Sequence, residues 1–208
     1  MIQYKTVAKQ AEAEQIIEKS RFIAYVKPVE TKEEADAFIA SIKAEHKSAT
    51  HNVPAFVIGD QFQLQWASDD GEPQGTSGAP MVQMLVKEGI TNVVIVVTRY
   101  FGGIKLGTGG LVRAYTSSAK LGLEAAGICE VKEMAVLKYK VDYSFLSKIQ
   151  NMAQGGLFSI EDIIYEADVT MKIVCEIEDT EEVKGLFTNL TSASAVLVSE
   201  TTELTKKL

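Results

Sequence analysis

Eight of the chain's fifteen glycines fall in two short stretches: Gly71, Gly75 and Gly78 within residues 68–80, and Gly102, Gly103, Gly107, Gly109 and Gly110 within residues 98–110. Glycine permits positive φ and close backbone approach, but it weakens the interior of a helix or strand. Neither stretch therefore continues a regular element, and each leads into a segment with helical spacing. Backbone N–H groups exposed at helix starts suit a phosphate or carboxylate. Arg99, Lys105 and Arg113 add positive charge to the second stretch. Two readings fit: an anion-binding cleft between the loops, or glycines that serve tight turns and helix packing alone.

The familiar phosphate motifs do not match. A Walker loop needs GxxxxGK followed by Ser or Thr, and Gly102–Thr108 lacks the lysine in that place. No GxGxxG run opens a helix straight after a strand, so a dinucleotide fold is unsupported. Asp69, Asp70 and Glu72 supply the oxygen ligands magnesium prefers. Capping turn and helix amides is their plainer use. The two histidines, His46 and His51, do not fit the HExxH metal pattern. His51 precedes a strand expected to face the glycine loops, where binding, acid–base work or a structural hydrogen bond all fit. Thr76 and Ser77 are the hydroxyls a hydrolase would set beside such a base, though nothing in the sequence brings them together. Cys129 and Cys175 sit in apolar contexts and read as buried thiols. Two cysteines make no disulfide scaffold and no multi-cysteine zinc site.

The rest of the chain divides into two parts near Ile128–Lys132. In the first, Phe22–Val26 reads as a strand, and Thr31 with Glu34 signals a helix to about Glu45. Val53–Ile58 and Phe62–Trp66 read as strands joined by a tight turn at Gly59-Asp60-Gln61. Met81–Lys87 reads as a helix with Pro80 near its first turn. Val93–Val97 is apolar throughout, as expected of a central strand. Gly109–Ala126 reads as a helix that Gly127 stops. In the second part, strands over Val131–Tyr143, Phe158–Glu166, Asp168–Ile177 and Ala193–Glu200 alternate with helices over Ser144–Gln154 and from Asp179, where Glu182 suggests a capping box. The order β-α-β-β-α-β is the ferredoxin-like pattern. The expected architecture is α+β in two domains, 1–130 and 131–208, without a long linker.

Charge bears on partners. The net charge is -7, whereas a non-specific polyanion binder is normally basic. The imbalance is uneven: residues 1–130 carry 13 basic and 15 acidic side chains, residues 131–208 carry 8 and 13. All three arginines, Arg21, Arg99 and Arg113, lie in the first part. Arginine is the side chain best suited to bidentate oxyanion contacts. A selective basic site there stays open while a basic coat is excluded. The N-terminus shows no signal-peptide pattern and no apolar run approaches the roughly 20 residues of a membrane span. A cytoplasmic protein without a membrane partner is expected.

Several segments resemble the IMPACT family, also called UPF0029, in its bacterial two-domain form. They are Lys19-Ser20-Arg21-Phe22-Ile23-Ala24, the His51 region, Ser68–Pro73 and the long run Val97–Tyr115. The resemblance spans nearly the whole chain, about 1–125 and 133–195. Val53 departs from it, since the family often carries a cysteine two residues after the histidine; a cysteine-based mechanism is weakened accordingly. The resemblance implies a first domain like the second domain of ribosomal protein S5, and a ferredoxin-like second domain like the fifth domain of elongation factor G. It implies regulation of translation through contact with RNA, the ribosome or a translation factor, and supplies no catalytic residues. On that reading Arg21, Arg99, Lys105 and Arg113 meet phosphates beside the loop amides, and His51, Asp69, Asp70, Glu72, Thr76, Tyr100, Gly102, Gly103, Gly107, Thr108, Gly109 and Gly110 complete the binding set. The alternatives are a metal-dependent enzyme acting on a phosphorylated small molecule and a protein–protein adaptor. No cofactor is specified.

Overall fold

The computed structural model describes residues 2–207. The strands are β1 (Ile2–Val7), β2 (Ala11–Ile17), β3 (Ser20–Pro28), β4 (His51–Ile58), β5 (Leu64–Ala67), β6 (Val93–Tyr100), β7 (Ile128–Val141), β8 (Phe158–Tyr165), β9 (Val169–Glu176) and β10 (Val196–Lys207). The helices are α1 (Lys32–Glu45), α2 (Gly78–Glu88), α3 (Gly107–Ala126), α4 (Tyr143–Ala153) and α5 (Thr180–Leu190). The fold is α+β. Packing separates a unit of residues 2–131 with 206–207 from one of residues 132–205.

In the first unit a five-stranded sheet has the order β2-β3-β6-β4-β5. Every neighbouring pair is antiparallel. β6 is central and fully buried from Val93 to Arg99. A continuously apolar strand usually signals a parallel sheet, but here the cause is helices on both faces of an antiparallel one. The side-chain period of 2 sends Val94 and Val96 toward α1, where Phe38, Ile39 and Ile42 meet them. The same period sends Val93, Ile95 and Val97 toward α2 and α3, against Met81, Leu85, Leu111, Tyr115 and Leu123. Thr31 caps α1 by accepting from the Glu34 amide at 3.2 Å. Glu34 in turn accepts from the Glu30 amide at 2.8 Å.

Some local expectations shift. β2 lay unmarked in the sequence, because AEAEQII is an edge strand whose residues alternate only between half-buried and exposed. The turn after β4 runs from Gly59 to Gln63, with Gly59 (φ 95°) and Phe62 (φ 56°) both left-handed. α2 begins at Gly78, three residues earlier than the apolar spacing suggests, so Pro80 sits in its first turn where a missing N–H costs nothing.

The second unit follows β-α-β-β-α-β order from β7 to β10. β9 pairs with both β7 and β8 in antiparallel fashion, and β10 pairs with β7. Leu137, Ile149, Phe158, Met171, Ile173, Val183 and Phe187 form the core beneath α4 and α5. Tyr139 and Phe187 stack there at 4.2 Å between centroids. The expected capping box at Asp179 does not form. Residues Ile177–Asp179 make a 3-10 turn, so Asp179 is already near-helical (φ -90°, ψ -3°) and its side chain accepts no amide. The Thr180 hydroxyl donates to the Ile177 carbonyl at 2.8 Å instead.

Candidate functional site

Register builds the site. Arg99 on β6 stands opposite Phe22 on β3 and opposite His51 on β4. Alternation puts Arg99 on the same face as Val97, Ile95 and Val93, the face covered by α3. One row across the sheet thus carries an aromatic ring, a guanidinium and an imidazole. Arg99 is only 4% exposed, so its charge must be met locally, because an unpaired buried charge is costly.

Glu72 meets it. Its Oε1 accepts from Arg99 Nη1 at 2.6 Å and from the Tyr115 hydroxyl of α3 at 2.7 Å. Burial, reinforced by the Glu72 carboxylate, pushes the Tyr115 hydroxyl far above its ordinary pKa and keeps it a donor. Arg99 Nη2 donates to Ser20 Oγ at 3.3 Å. The guanidinium lies over the rings of Phe22 and Phe101, at 5.3 and 5.4 Å. One donor of this buried cation remains: Arg99 Nε has no hydrogen-bond partner. Native interiors seldom leave such a group unmatched.

His51 completes the floor. Its Nδ1 lies 2.9 Å from the Asp70 carbonyl, which only accepts, so Nδ1 carries the hydrogen. Nε2 then faces Glu72 Oε2 at 3.6 Å, too far for a direct hydrogen bond. Above this floor lies a cavity of about 420 Å³, lined by Arg99, Glu72 and His51 with Phe101, Leu106, Leu111 and others. Gly107 and Thr108, the first residues of α3, also line it. No side chain caps α3, and its first turn holds no acidic residue. Its leading N–H groups are therefore unmatched by any side chain, at the positive end of the helix dipole.

The expected residues divide. His51, Glu72, Arg99, Lys105, Gly107 and Thr108 are brought together around the cavity. Arg113 and Gly110 line a neighbouring hollow that shares Lys105. Arg21 does not join them: exposed, it is held by Glu14 at 2.6 Å and lies over the Tyr100 ring. Tyr100 points to the opposite sheet face, where its hydroxyl meets His46 Nδ1 at 2.8 Å. His46 Nε2 lies 2.6 Å from the Tyr25 hydroxyl, which burial above all pushes up to about 12. Gly102 is a packing residue, since a Cβ there would lie 2.0 Å from the Lys19 carbonyl oxygen. Gly103 supplies a left-handed φ of 90°, and Gly109 lies in the first turn of α3.

The three carboxylates do not converge. Asp69 accepts from the amides of Gly75, Ser77 and Gly78 and from the Ser77 hydroxyl, at 2.6–3.1 Å. Burial alone would raise its pKa, but these donors outweigh that and hold the carboxyl below its ordinary value. Asp70 is taken by Lys43 and the Asn52 amide, both at 2.6 Å. Among the described residues no group of three or more His, Cys, Asp or Glu side chains could hold a metal ion. Thr76 and Ser77 are not set beside His51 as nucleophiles; their hydroxyls donate within their own loop, to Pro73 O and Asp69. Both cysteines are buried, and that burial raises their thiol pKa values. Tyr115, Ser20, Phe101 and Leu111 also join the site; they lie in the segments that carry the family resemblance, but only strand register and helix spacing set them beside Arg99.

A family model described as the Impact N-terminal domain matches residues 18–123. The chain is 43% identical over 192 residues to the IMPACT family member YvyE of Bacillus subtilis, covering 92% of this chain and 88% of the relative. The chain belongs to the IMPACT family. This IMPACT family member is also 33% identical over 185 residues to YigZ of Escherichia coli, covering 88% and 91% of the two chains. It is 36% identical over 94 residues to the mouse Protein IMPACT, covering 43% of this chain and 29% of that protein. Residues 140–194 match a domain of unknown function, DUF1949. A crystal structure of a hypothetical protein superposes with a TM-score of 0.58 at 31% identity, covering 94% of this chain and 96% of that one. Among the described residues no helix is long and apolar enough to cross a membrane.

Proposed function

We propose that this IMPACT family member is a translation-associated binding protein whose contact with RNA, the ribosome or a translation factor runs through one anionic group seated in the Arg99 cavity. The carrying observation is a cavity lined by Arg99, Lys105 and the uncapped start of α3, which together set positive charge and unmatched amides around one space. The resemblance of sequence motifs to the IMPACT family supports the link to translation.

The geometry also changes the kind of contact expected. Arg99 is committed to Glu72, and Arg21 to Glu14, which leaves Lys105 and Arg113 as the exposed cations of the expected set. One or two anionic contacts replace a phosphate-tracking groove. Salt dependence is therefore shallow: raising salt from about 50 to about 200 mM weakens binding roughly three- to tenfold, against about a thousandfold or more for six or more phosphates. Co-sedimentation of the full chain with ribosomes at both salt levels tests this. Salt-dependent association that Arg99→Lys weakens is expected; no association at either level contradicts the proposal.

A further inference from the structure

The sheet of the second unit has two edge strands, β8 and β10, and only one of them is protected. Among the described residues β8 pairs with β9 alone and β10 with β7 alone. An open edge offers unpaired N–H and C=O groups to any other strand, and proteins blunt such edges with bulges and charges. β8 has both: its register shifts between Ile160 and Asp162, and Glu161 and Asp162 lie exposed at that point. Within this unit β10 runs Val196-Leu197-Val198-Ser199-Glu200-Thr201-Thr202-Glu203-Leu204-Thr205, without a proline or glycine, and none of these residues is buried. Its acids are already held from within the unit, Glu200 by Lys184 at 2.7 Å and Glu203 by Lys172 at 2.9 Å. What the strand leaves open is apolar: Val196, Leu197, Val198 and Leu204 are all exposed, Val198 at 58% and Leu204 at 55%.

The spacing of these residues says which strand fits. Directly opposed residues of an antiparallel pair share a face and interact. With Thr201 opposite its own copy, Val198 stands opposite Leu204 on both sides of the two-fold axis. Leu197 then opposes Thr205, Ser199 opposes Glu203 and Glu200 opposes Thr202, so no like charges meet. Centring the pair on Glu200 or Glu203 sets that acid against itself, and centring it on Thr202 sets Glu200 against Leu204. A two-fold interface must be self-complementary, residue i against j and j against i. The strand meets that condition in one register. We propose that β10 is a dimerisation edge: two copies of this chain pair their β10 strands antiparallel about Thr201 and join their sheets into one. A single strand pair is a small interface, so the dimer is weak, with a Kd on the order of 100 µM.

Sedimentation equilibrium of the full chain tests it. The mass should rise from that of one chain at about 10 µM toward that of two at about 1 mM. Val198→Lys, at a side chain already exposed, sets a charge against Leu204 and should weaken association roughly tenfold or more. Thr201→Cys reads the register. Opposed Cα atoms about 4.5–5.5 Å apart are within reach of a disulfide, so the variant should cross-link with oxidised glutathione as the oxidant. Both native thiols are buried. Thr202→Cys, opposite Glu200, should cross-link far less. A chain that stays single at about 1 mM overturns the proposal and leaves the edge to a strand of another protein. Association that Val198→Lys leaves unchanged overturns it too, as does cross-linking of Thr202→Cys that equals or exceeds that of Thr201→Cys.

Discussion

The two glycine-rich loops are alike in composition and both precede helices packed on the same sheet face, yet their helix starts are treated oppositely. In the first loop Asp69 gathers three amides and a hydroxyl at the beginning of α2. That start is satisfied from within the chain. In the second loop no side chain among the described residues caps α3, and its first residues line a cavity with Arg99 and Lys105. Glycine content alone thus says little about binding. What distinguishes a structural loop from a receptive one is whether the chain supplies its own acceptor for the helix amides.

Glu72 joins the loops, and removing it is the strongest way to break the comparison. Glu72→Ala leaves Arg99 buried without its counter-charge and Tyr115 without an acceptor. Loss of about 3–5 kcal/mol of first-unit stability is expected. Denaturant unfolding followed by Trp66, the one tryptophan and part of the first unit, reads it. A loss no larger than for a surface substitution would show that the ion pair is not structural.

Asp69→Ala makes the first loop resemble the second. The expected cost is about 2 kcal/mol, the upper range for a lost cap. The pH dependence has a fixed sign. Because the folded carboxyl titrates below its unfolded value, its stabilisation is full above about pH 4 and fades as pH falls through the folded value. Stability curves of wild type and variant should therefore converge in acid and separate toward neutrality. Parallel curves would contradict this role.

These cases show how far the sequence could be read. Thr31 with Glu34, the strand Val93–Val97 and the glycine that stops α3 are local signals, and they lie where local chemistry puts them. The site is a non-local object. Arg99, Glu72, His51 and Tyr115 come from four separate segments, joined by strand register and one helix face. The sequence marked all three arginines alike as phosphate ligands of one cleft, because nothing in residue type tells a buried guanidinium from an exposed one. Asp179 teaches the same lesson in miniature: the capping pair is present, but the preceding 3-10 turn sets the wrong backbone angles.

The mildest change works in the other direction. Gly109→Asp places a carboxylate in the first turn of α3, at a position where a Cβ has only Arg113 at 4.0 Å. Replacing a helical glycine and complementing the dipole should together stabilise the first unit by about 1 kcal/mol. The same substitution should weaken anion binding, since the chain now supplies its own acceptor. Thermal unfolding and probe titration on one sample check both. Stabilisation with unchanged binding would separate the helix start from the site.

The most direct measurement follows the loops themselves in a ¹⁵N-labelled full-length sample titrated with N-acetyl-leucine and, separately, phosphate. With at least one of these anions, the amides of Gly107, Thr108 and Gly109 should shift saturably and together. Those of Gly75, Ser77 and Gly78, held by Asp69, should stay still. Shifts confined to the Asp69 loop, or none at Gly107–Gly109 with either anion, would contradict the account.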